Sequence, residues 1–375
     1  MSLQQQLNDD TRITLPELLK KMTDLGGSDL HITTKSAPQV RVHGHLQPLD
    51  GYEAFSPDET KRLAYSVLTD SQKHRFEENL ELDFSFGLKG MSRFRANLFN
   101  QKGAVGAVFR AIPYEILGFD KLGVPPVVKD LCKKPRGLIL VTGPTGSGKS
   151  TTLASMVDKI NQDRHEHILT IEDPIEFLHE HKNCVVNQRE VNSDTHGFSD
   201  ALRTALRQDP DIVLVGEMRD LETIALALTS AETGMLVFGT LHTNNAVKTI
   251  DRIIDVFPAD QQSQVRTMLA ASIQGVLAQL LMKRCDKVGR VAVNEIMFTT
   301  PAVAAIIREG KTQKLNDVIT QGAEMGMQFM DEAIWDKLQK GMVSPEEAYM
   351  KAIDKSRFKS FLPSALAALA NSSGG

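Results

Sequence analysis

The sequence contains few cysteines. Cys132, Cys184 and Cys285 are the three among 375 residues; they lie far apart and form no C-x-x-C pair. This spacing argues against a zinc module and against a disulfide framework, since both need clustered or paired cysteines. We therefore expect three buried thiols.

Long hydrophobic runs are also missing. The apolar runs are much shorter than the ~20 residues that a helix needs to cross a bilayer. One of the longest, VLAQLLM at 276–282, is interrupted by Gln279. The first ten residues, MSLQQQLNDD, have neither the basic start nor the apolar core of a signal peptide. The sequence predicts no transmembrane segment and a cytoplasmic protein.

The chain is poor in aromatic residues and has no excess of positive charge. Aromatic residues make up 6% of the sequence, and the net charge is −4. Proteins that bind nucleic acid without sequence preference usually combine a basic groove with aromatic side chains on which bases stack. Since neither signal is present, we expect no nucleic-acid partner.

The length of the chain favours two domains, because single cores seldom grow beyond ~250–300 residues. Up to residue 112, short runs such as QVRVHGHL and SRFRANLF alternate apolar and polar residues around one helical stretch, PDETKRLAYSVLTDSQKHRFEENL. This pattern predicts a small α+β domain, 1–112, with a largely antiparallel sheet. Prolines and glycines interrupt the pattern at 113–126, which we interpret as a linker.

From residue 127 to 375 the pattern is that of an α/β domain. Continuous apolar runs alternate with helical segments, as in a parallel sheet covered on both faces. Ligands bind at the carboxyl ends of the strands of such a sheet, so the polar residues that end these runs should converge on one site. From about residue 297 we expect helices. The apolar runs are GLILVTG (137–143), HILTIED (167–173), DIVLVGE (211–217) and MLVFGTLHT (235–243).

The segment GPTGSGKS matches the P-loop pattern G-x-x-x-x-G-K-[ST] and lies between an apolar strand and a helical segment, the context that a P-loop requires. Its glycines let backbone N–H groups turn toward phosphates, its lysine can reach the β- and γ-phosphates, and its last hydroxyl suits Mg²⁺. The sequence thus predicts a bound nucleotide with Mg²⁺. The predicted phosphate-binding residues are Gly143, Pro144, Thr145, Gly146, Ser147, Gly148, Lys149, Ser150 and Thr151, with Ser150 at the metal.

Polar residues end the other three strands. Glu172 and Asp173 follow HILTI, Glu217 follows DIVLV, and His242 ends the last run. Nucleotide hydrolysis needs acidic residues there, because the metal and an oriented water both require anionic acceptors. Three carboxylates compete for these two roles; we take Glu172 and Glu217 as catalytic candidates and Glu217 as a metal ligand, partly through water. His242 can sense the γ-phosphate.

Four motifs follow one another along the chain: GPTGSGKSTT, ILTIEDPIEF, ALRQDPDIVLVGEMRD and AETGMLVFGTLHTNNA. They resemble, in this order, the Walker A, Asp box, Walker B and His box of the ATPases that power type II secretion and type IV pili. Two earlier segments, GGSDLHI (26–32) and RVHGHL (41–46), are similar to the PilT-type branch of this family, the pilus retraction motors. The resemblance covers nearly the whole chain.

This resemblance implies a PAS-like N-terminal domain joined to a RecA-like ATPase domain, assembled as a hexameric ring. It implies that the ring spends ATP on removing pilin subunits from a fibre. An inner-membrane pilus platform protein would be its partner, which implies a peripheral location at the cytoplasmic face of the inner membrane. The alternatives are an accessory retraction paralogue and a RecA-like nucleic-acid translocase; charge and aromatic content argue against the translocase.

The sequence departs from the family pattern in two places. Met235 stands where the His box usually begins with histidine, at the far end of the strand from His242, so we expect it to affect a structural contact rather than hydrolysis. In the segment AVAAIIREGKT (302–312), Ala304 and Ala305 replace the Arg and Asn of a motif linked to retraction in this branch. This second departure leaves both a main motor and an accessory paralogue open.

The strand SRFRANLF (92–99) carries two arginines on one side. In an extended strand its apolar set points to the core, while Arg93 and Arg95 point outward. Arg110, near the end of the first domain, is a third basic residue. A solvated basic face is one interpretation of these arginines. The family resemblance implies the other, in which arginines of this domain reach the nucleotide of the adjacent subunit and act in catalysis.

Overall fold

The computed structural model describes residues 13–42, 44–112 and 116–362. The chain divides into two compact units, Met1–Glu115 and Ile116–Gly375. The division lies close to residue 112, where the sequence predicts the end of the first domain.

An antiparallel sheet forms the N-terminal unit. Its strands are β1 (Asp29–Ile32), β2 (Gln39–Val42), β3 (His45–Pro48), β4 (Glu81–Leu88), β5 (Ser92–Gln101) and β6 (Ala104–Ile112). Within the described part of this unit they lie in the order β3-β2-β1-β6-β5-β4, and each neighbouring pair is antiparallel. The alternating apolar runs predict this kind of sheet, and the structure confirms it.

The helices of the N-terminal unit are α1 (Leu15–Asp24), α2 (Pro57–Tyr65) and α3 (Asp70–Asn79). The predicted single helical stretch is therefore two helices. A second helix begins because Thr69 and Gln72 form a capping box, as Ser56 and Glu59 do for α2. α1 was not predicted; it begins after Thr14, whose side chain caps the helix.

A larger sheet forms the second unit. Its strands are β7 (Gly137–Thr142), β8 (His167–Glu172), β9 (Val185–Glu190), β10 (Ile212–Val215), β11 (Leu236–Leu241), β12 (Ile273–Lys283) and β13 (Arg290–Phe298). Among the residues described, their order is β13-β12-β7-β11-β10-β8-β9. All neighbouring pairs are parallel except β12 and β13. The four strands predicted from the apolar runs are thus confirmed.

Both faces of this sheet are covered by helices. Along β7, Leu138 and Leu140 pack into one core cluster, and Ile139 and Val141 pack into another. Alternate residues of a strand point to opposite faces, so a strand buried on both sides has a continuous apolar sequence. This is the physical reason that unbroken apolar runs predict the central strands.

The helices of the second unit include a C-terminal group that begins at Pro301. The earlier helices are α4 (Phe119–Leu122), α5 (Val128–Leu131), α6 (Lys149–Asp163), α7 (Phe198–Ala205), α8 (Leu221–Glu232), α9 (Ala246–Asp255) and α10 (Gln262–Ser272). The C-terminal group comprises α11 (Pro301–Glu309), α12 (Leu315–Gln321), α13 (Met330–Gln339), α14 (Pro345–Lys351) and α15 (Lys355–Lys359). Within the described ranges, no helix is both long enough and apolar enough to span a membrane.

Three strands were not anticipated from the sequence. β9 lies at one edge of the sheet, while β12 and β13 form an antiparallel pair that extends the other side next to β7. β13 runs to Phe298 and the first C-terminal helix begins at Pro301, so the expected start at about 297 is four residues early.

Part of the predicted linker belongs to the second unit. α4 lies inside it, and Phe119 and Val124 are buried in the same core cluster as Ile139. The carbonyl oxygens of Pro125 and Pro126 accept hydrogen bonds from the first backbone N–H groups of α5. The first three linker residues, 113–115, lie outside the described residues.

The expectation of three buried thiols is correct for two of the cysteines. Cys132 and Cys184 are buried, but Cys285 is exposed. Cys285 lies in the surface turn between β12 and β13, where its thiol donates to the carbonyl oxygen of Gly341 at 3.3 Å. The expectation was wrong at this position because Cys285 lies between the two strands rather than within one of them.

Candidate functional site

The P-loop joins the end of β7 to the start of α6. All three of its glycines adopt backbone angles that L side chains rarely adopt: φ is 141° at Gly143, 78° at Gly146 and 85° at Gly148. Gly148 is the N-cap of α6 and makes no side-chain cap hydrogen bond. The first N–H groups of a helix have no partner inside the helix, so this end of α6 can donate to an anion.

The side chains of the loop also fit a phosphate ligand. Lys149 Nζ donates to the carbonyl oxygens of Gly143 and Pro144, at 2.8 and 3.1 Å, which folds the ammonium group over the loop. The buried hydroxyl of Ser147 has no hydrogen-bond partner among the described residues. Burial lowers the pKa of Lys149, and the negative charges of Glu217 and Glu176 oppose this shift.

Glu217 lies in a small network of charges beyond the end of β10. It accepts a hydrogen bond from Arg219 at 2.6 Å, and its other oxygen lies 2.9 Å from Nε2 of His242. Burial alone would raise the pKa of Glu217, but the hydrogen bond and charge of Arg219, together with His242, hold it below its usual value. The structure therefore brings together Glu217 and His242, two residues that the sequence predicts for one site.

The order of the strands explains why Glu217 and His242 lie close together. β11 lies between β7, which leads into the P-loop, and β10, which leads to Glu217. His242 directly follows β11, and the three strands are parallel. Their carboxyl ends therefore meet at one edge of the sheet, with His242 in the middle.

Glu172 ends β8, one strand farther along the same edge. Its Oε1 accepts hydrogen bonds from Thr170 Oγ1 at 2.6 Å and from Gln188 Nε2 at 3.1 Å. Burial raises the pKa of Glu172 to about 7, although these hydrogen bonds lower it. Asp173, the third acidic candidate, is exposed. A half-buried carboxyl group with a pKa near neutrality is typical of general acids and bases.

A magnesium ion bound to nucleotide phosphates needs only one or two protein ligands, because phosphate oxygens and water fill the remaining positions. Ser150, in the first turn of α6, and Glu217, whose charge acts on the neighbouring Lys149, fit this requirement. Across the described residues, no group of three or more His, Cys, Asp and Glu side chains is arranged to hold a metal ion by itself.

The three predicted arginines lie on the sheet of the N-terminal unit. Arg95 on β5 is opposite Arg110 on β6, and Arg110 is opposite Asp29 on β1. Arg110 donates to the buried Asp29 at 2.7 Å, and Arg93 donates to the hydroxyl of Ser85. The predicted alternation along β5 is confirmed. Its apolar residues Phe94, Ala96 and Leu98 are fully buried. Arg95 and Arg110, in contrast, are exposed.

The two departures from the family pattern lie at the start of β11 and on α11. Met235 directly precedes β11, whereas His242 follows it, and the Met235 side chain packs against a core cluster. Ala304 and Ala305 are half-buried on α11, and Ala304 packs against the same cluster. Met235 therefore lies at the opposite end of its strand from His242, as expected.

Three side chains that hold the candidate carboxylates were not predicted from the sequence: Thr170, Gln188 and Arg219. Arg219 stands two residues after Glu217, and this short spacing is a signal that could have identified it. Gln188 reaches Glu172 from the unanticipated strand β9. No local pattern identifies Gln188, because its position depends on the register between β8 and β9.

Comparison with known proteins now identifies the family. Residues 8–350 match the family model described as type II/IV secretion system protein. The chain belongs to this family. Among its relatives, the type IV pilus retraction ATPase PilT of Pseudomonas aeruginosa is 53% identical over 341 residues, which span 90% of this chain and 98% of PilT. The twitching motility protein of Neisseria gonorrhoeae is 50% identical over 315 residues, 84% of each chain.

A solved structure has the same fold. The crystal structure of the pilus retraction motor PilT with bound ADP matches with a TM-score of 0.87 and 47% sequence identity, covering 92% of this chain and 99% of that one. At this similarity, the α/β architecture described above is that of the PilT structure.

Proposed function

We propose that this protein is an ATPase motor that powers the retraction of type IV pili. The observation that carries the proposal is the P-loop next to the Glu217–His242 pair, in a chain 53% identical to a retraction ATPase over 90% of its length. A P-loop beside a strand-end carboxylate supports nucleotide hydrolysis, and the homology supports coupling of that hydrolysis to pilus retraction.

Different residues of the site bind the phosphates, bind the metal ion and orient the attacking water. The loop from Gly143 to Thr151 binds the phosphates of ATP through its N–H groups and Lys149. Ser150 and Glu217 would hold Mg²⁺, Glu217 partly through water, and the bound ion would supply positive charge that neutralises the phosphates. Glu172 or Glu217 orients and polarises the attacking water, and His242 senses the γ-phosphate through its pairing with Glu217.

Arg93, Arg95 and Arg110 complete the site of a neighbouring subunit in a hexameric ring. This step rests on the family resemblance and on the exposure of Arg95 and Arg110 on one sheet of a PAS-like N-terminal domain. An arginine from a neighbour can neutralise charge on the transferring phosphoryl group, which makes assembly a condition for turnover. The ring acts in the cytoplasm, against an inner-membrane pilus platform protein.

Replacing Lys149 with alanine tests the function directly. In cells that rely on this gene, Lys149→Ala should abolish pilus retraction and ATP hydrolysis, because the loop loses the charge that binds the β- and γ-phosphates. The matched control is Lys159→Ala on the same helix, whose ammonium pairs with Asp163 at the surface. Normal retraction by the Lys149→Ala protein would contradict the proposed function.

The alternatives give different results in two further assays. A main retraction motor restores retraction in cells that lack all related motors, whereas an accessory paralogue needs a second motor. A nucleic-acid translocase hydrolyses ATP much faster with single-stranded DNA, whereas the proposed motor does not respond to it.

The raised pKa of Glu172 predicts a pH dependence of turnover. If Glu172 accepts a hydrogen bond from the attacking water, kcat should fall as the pH drops through about 7, because the protonated carboxyl group no longer accepts it. Glu172→Gln should bind ATP but turn it over slowly, without this acidic limb. Equal turnover at pH 6 and pH 8 in the parent protein would contradict the role of Glu172.

Stability offers a readout of the same proton that is independent of catalysis. The folded protein keeps a proton on Glu172 up to about pH 7, whereas the unfolded chain loses it near 4.5. The contribution of this group to stability is therefore present at low pH and is lost as the pH rises from 4.5 to 7. Glu172→Gln should raise the Tm at pH 8 clearly more than at pH 5, in thermal unfolding at both pH values.

A further inference from the structure

A cluster of buried polar side chains lies against the P-loop. Its members are less than 4% exposed: Ser147, Thr152, Gln279 and Asn294. A buried polar group costs free energy unless it is hydrogen-bonded, so the geometry of such a cluster is tightly constrained. None of the roles proposed above uses Gln279 or Asn294.

Gln279 is the centre of the cluster. Its Nε2 donates to the main-chain oxygen of Ser147 at 2.7 Å. Its Oε1 accepts from Thr152 Oγ1 at 2.9 Å and from Asn294 Nδ2 at 3.0 Å. Ser147 lies in the P-loop and Thr152 in the first turn of α6, so one amide group holds both the loop and the helix that follows it.

The main chain of β12 also contacts the loop closely. A methyl group at Gly143 would lie 2.2 Å from the main-chain oxygen of Gln279, and one at Gly148 would lie 3.0 Å from its Nε2. Only glycine permits such an approach at Gly143. The P-loop therefore packs directly against β12 at Gln279.

The same network continues toward the C-terminal helices. Gln328 Nε2 donates to the main-chain oxygen of Asn294 at 2.8 Å, and Gln328 exchanges two main-chain hydrogen bonds with Ile296. Gln328 shortly precedes α13. Asn294 thus links the amide under the P-loop to the segment that leads into the C-terminal helical group.

We propose that Gln279 is a positioning residue that holds the P-loop in its phosphate-binding shape before the nucleotide arrives. In a trans peptide the C=O and the following N–H point in opposite directions. Because the oxygen of Ser147 points to Gln279, the N–H of Gly148 points away from β12 and toward the ligand. This inference rests on the proposed function, since it requires that the P-loop binds a nucleotide.

The substitution Gln279→Met removes the amide and keeps the length of the side chain. We expect the Kd for ADP, measured by calorimetry, and the KM for ATP to rise about tenfold, the effect of losing a buried hydrogen bond. The kcat at saturating ATP should change less than about threefold, because bound nucleotide itself imposes the shape of the loop. A protein that is merely destabilised would not show this split.

Two comparisons make the test specific. Gln274→Met is the matched control in the same strand, since Gln274 lies beside Gly137 at the opposite end of β7 and should leave the Kd unchanged. Thr152→Val removes the hydroxyl that donates to Gln279 and should weaken ADP binding, whereas Thr152→Ser should restore it. If Gln279→Met does not fold, the variants Thr152→Val and Thr152→Ser test the same proposal.

Unchanged ADP affinity in Gln279→Met or Thr152→Val, at the parent Tm, would overturn the proposal. An equal loss in Gln274→Met would overturn it as well, because the effect would then not be specific to the P-loop. Failure of the parent protein to bind ADP would instead contradict the proposed function, so the two failures can be told apart.

Discussion

Glu217→Gln should bind ATP with nearly the parent affinity and hydrolyse it on the order of 10²–10³-fold more slowly, the cost of removing a single preorganised electrostatic contact in an active site. Binding should persist because Lys149 and the N–H groups of the P-loop are untouched. Turnover should fall because a neutral amide keeps the shape of the side chain but loses the negative charge that pairs with Arg219 and His242 and that the proposed Mg²⁺ would need.

A matched substitution separates this effect from a general loss of negative charge. Glu222→Gln changes a half-exposed glutamate at the start of α8, which pairs with Arg203. Its turnover should remain within about twofold of the parent, because surface ion pairs contribute little. Steady-state ATP hydrolysis with purified protein, together with nucleotide affinity, measures both variants. A Glu217→Gln protein with the rate of the Glu222→Gln control would show that Glu217 has no catalytic role.

The parts of the site that local sequence could predict are those with short, fixed spacing. The P-loop is one continuous motif, and its glycines are needed for backbone angles that the sequence itself implies. Glu172, Glu217 and His242 each end or follow an apolar strand, and parallel strands bring such ends to one edge. To predict that these residues lie at the same edge of the sheet, it was enough to recognise that each one ends or follows a parallel strand.

The supporting residues could not be predicted in this way. Gln188 reaches Glu172 from β9, and Gln279 reaches Ser147 from β12. Both contacts depend on which strands are neighbours and on their register, which no short motif records. Gln279 is 132 residues from Ser147 in sequence and interrupts an apolar run, where it suggests only that the run is too polar for a membrane.

Contacts between residues distant in sequence also limited how much of the fold could be predicted. The apolar runs predict four parallel strands because burial on both faces leaves a continuous apolar sequence. β12 and β13 pair antiparallel, and they bury Gln279, Asn294 and Glu295. Gln279 and Glu295 are hydrogen-bonded by partners distant in sequence, such as the N–H groups of Ala246 and Met330 for Glu295. A strand that contains them therefore lacks the sequence signal of a buried strand.

Arg95→Ala should bind ATP normally and, in the assembled protein, hydrolyse it about 10³-fold more slowly, the lower end of the contribution of an arginine supplied by a neighbour. Arg95 is exposed, and its cross-strand neighbour Arg110 is engaged by Asp29, so Arg95 is the most direct test of this role. Arg75→Ala on α3 of the same unit is the control for lost positive charge. Arg93→Ala and Arg110→Ala should also slow turnover.

Mixing inactive subunits distinguishes an arginine that acts between subunits from one that acts within its own. In the proposed ring, a mixture of Lys149→Ala and Arg95→Ala subunits would contain interfaces that pair an intact P-loop with an intact arginine from the neighbour, so part of the activity should return. A mixture of Lys149→Ala with the double variant Lys149→Ala, Arg95→Ala has no intact P-loop and should stay inactive. If the first mixture remains inactive although mixed rings form, or if dilution to monomers leaves the rate per subunit unaltered, Arg95 does not act on a neighbour. Recovered activity in proportion to the hybrid interfaces would mean that hydrolysis requires the ring, because each site is completed by the next subunit.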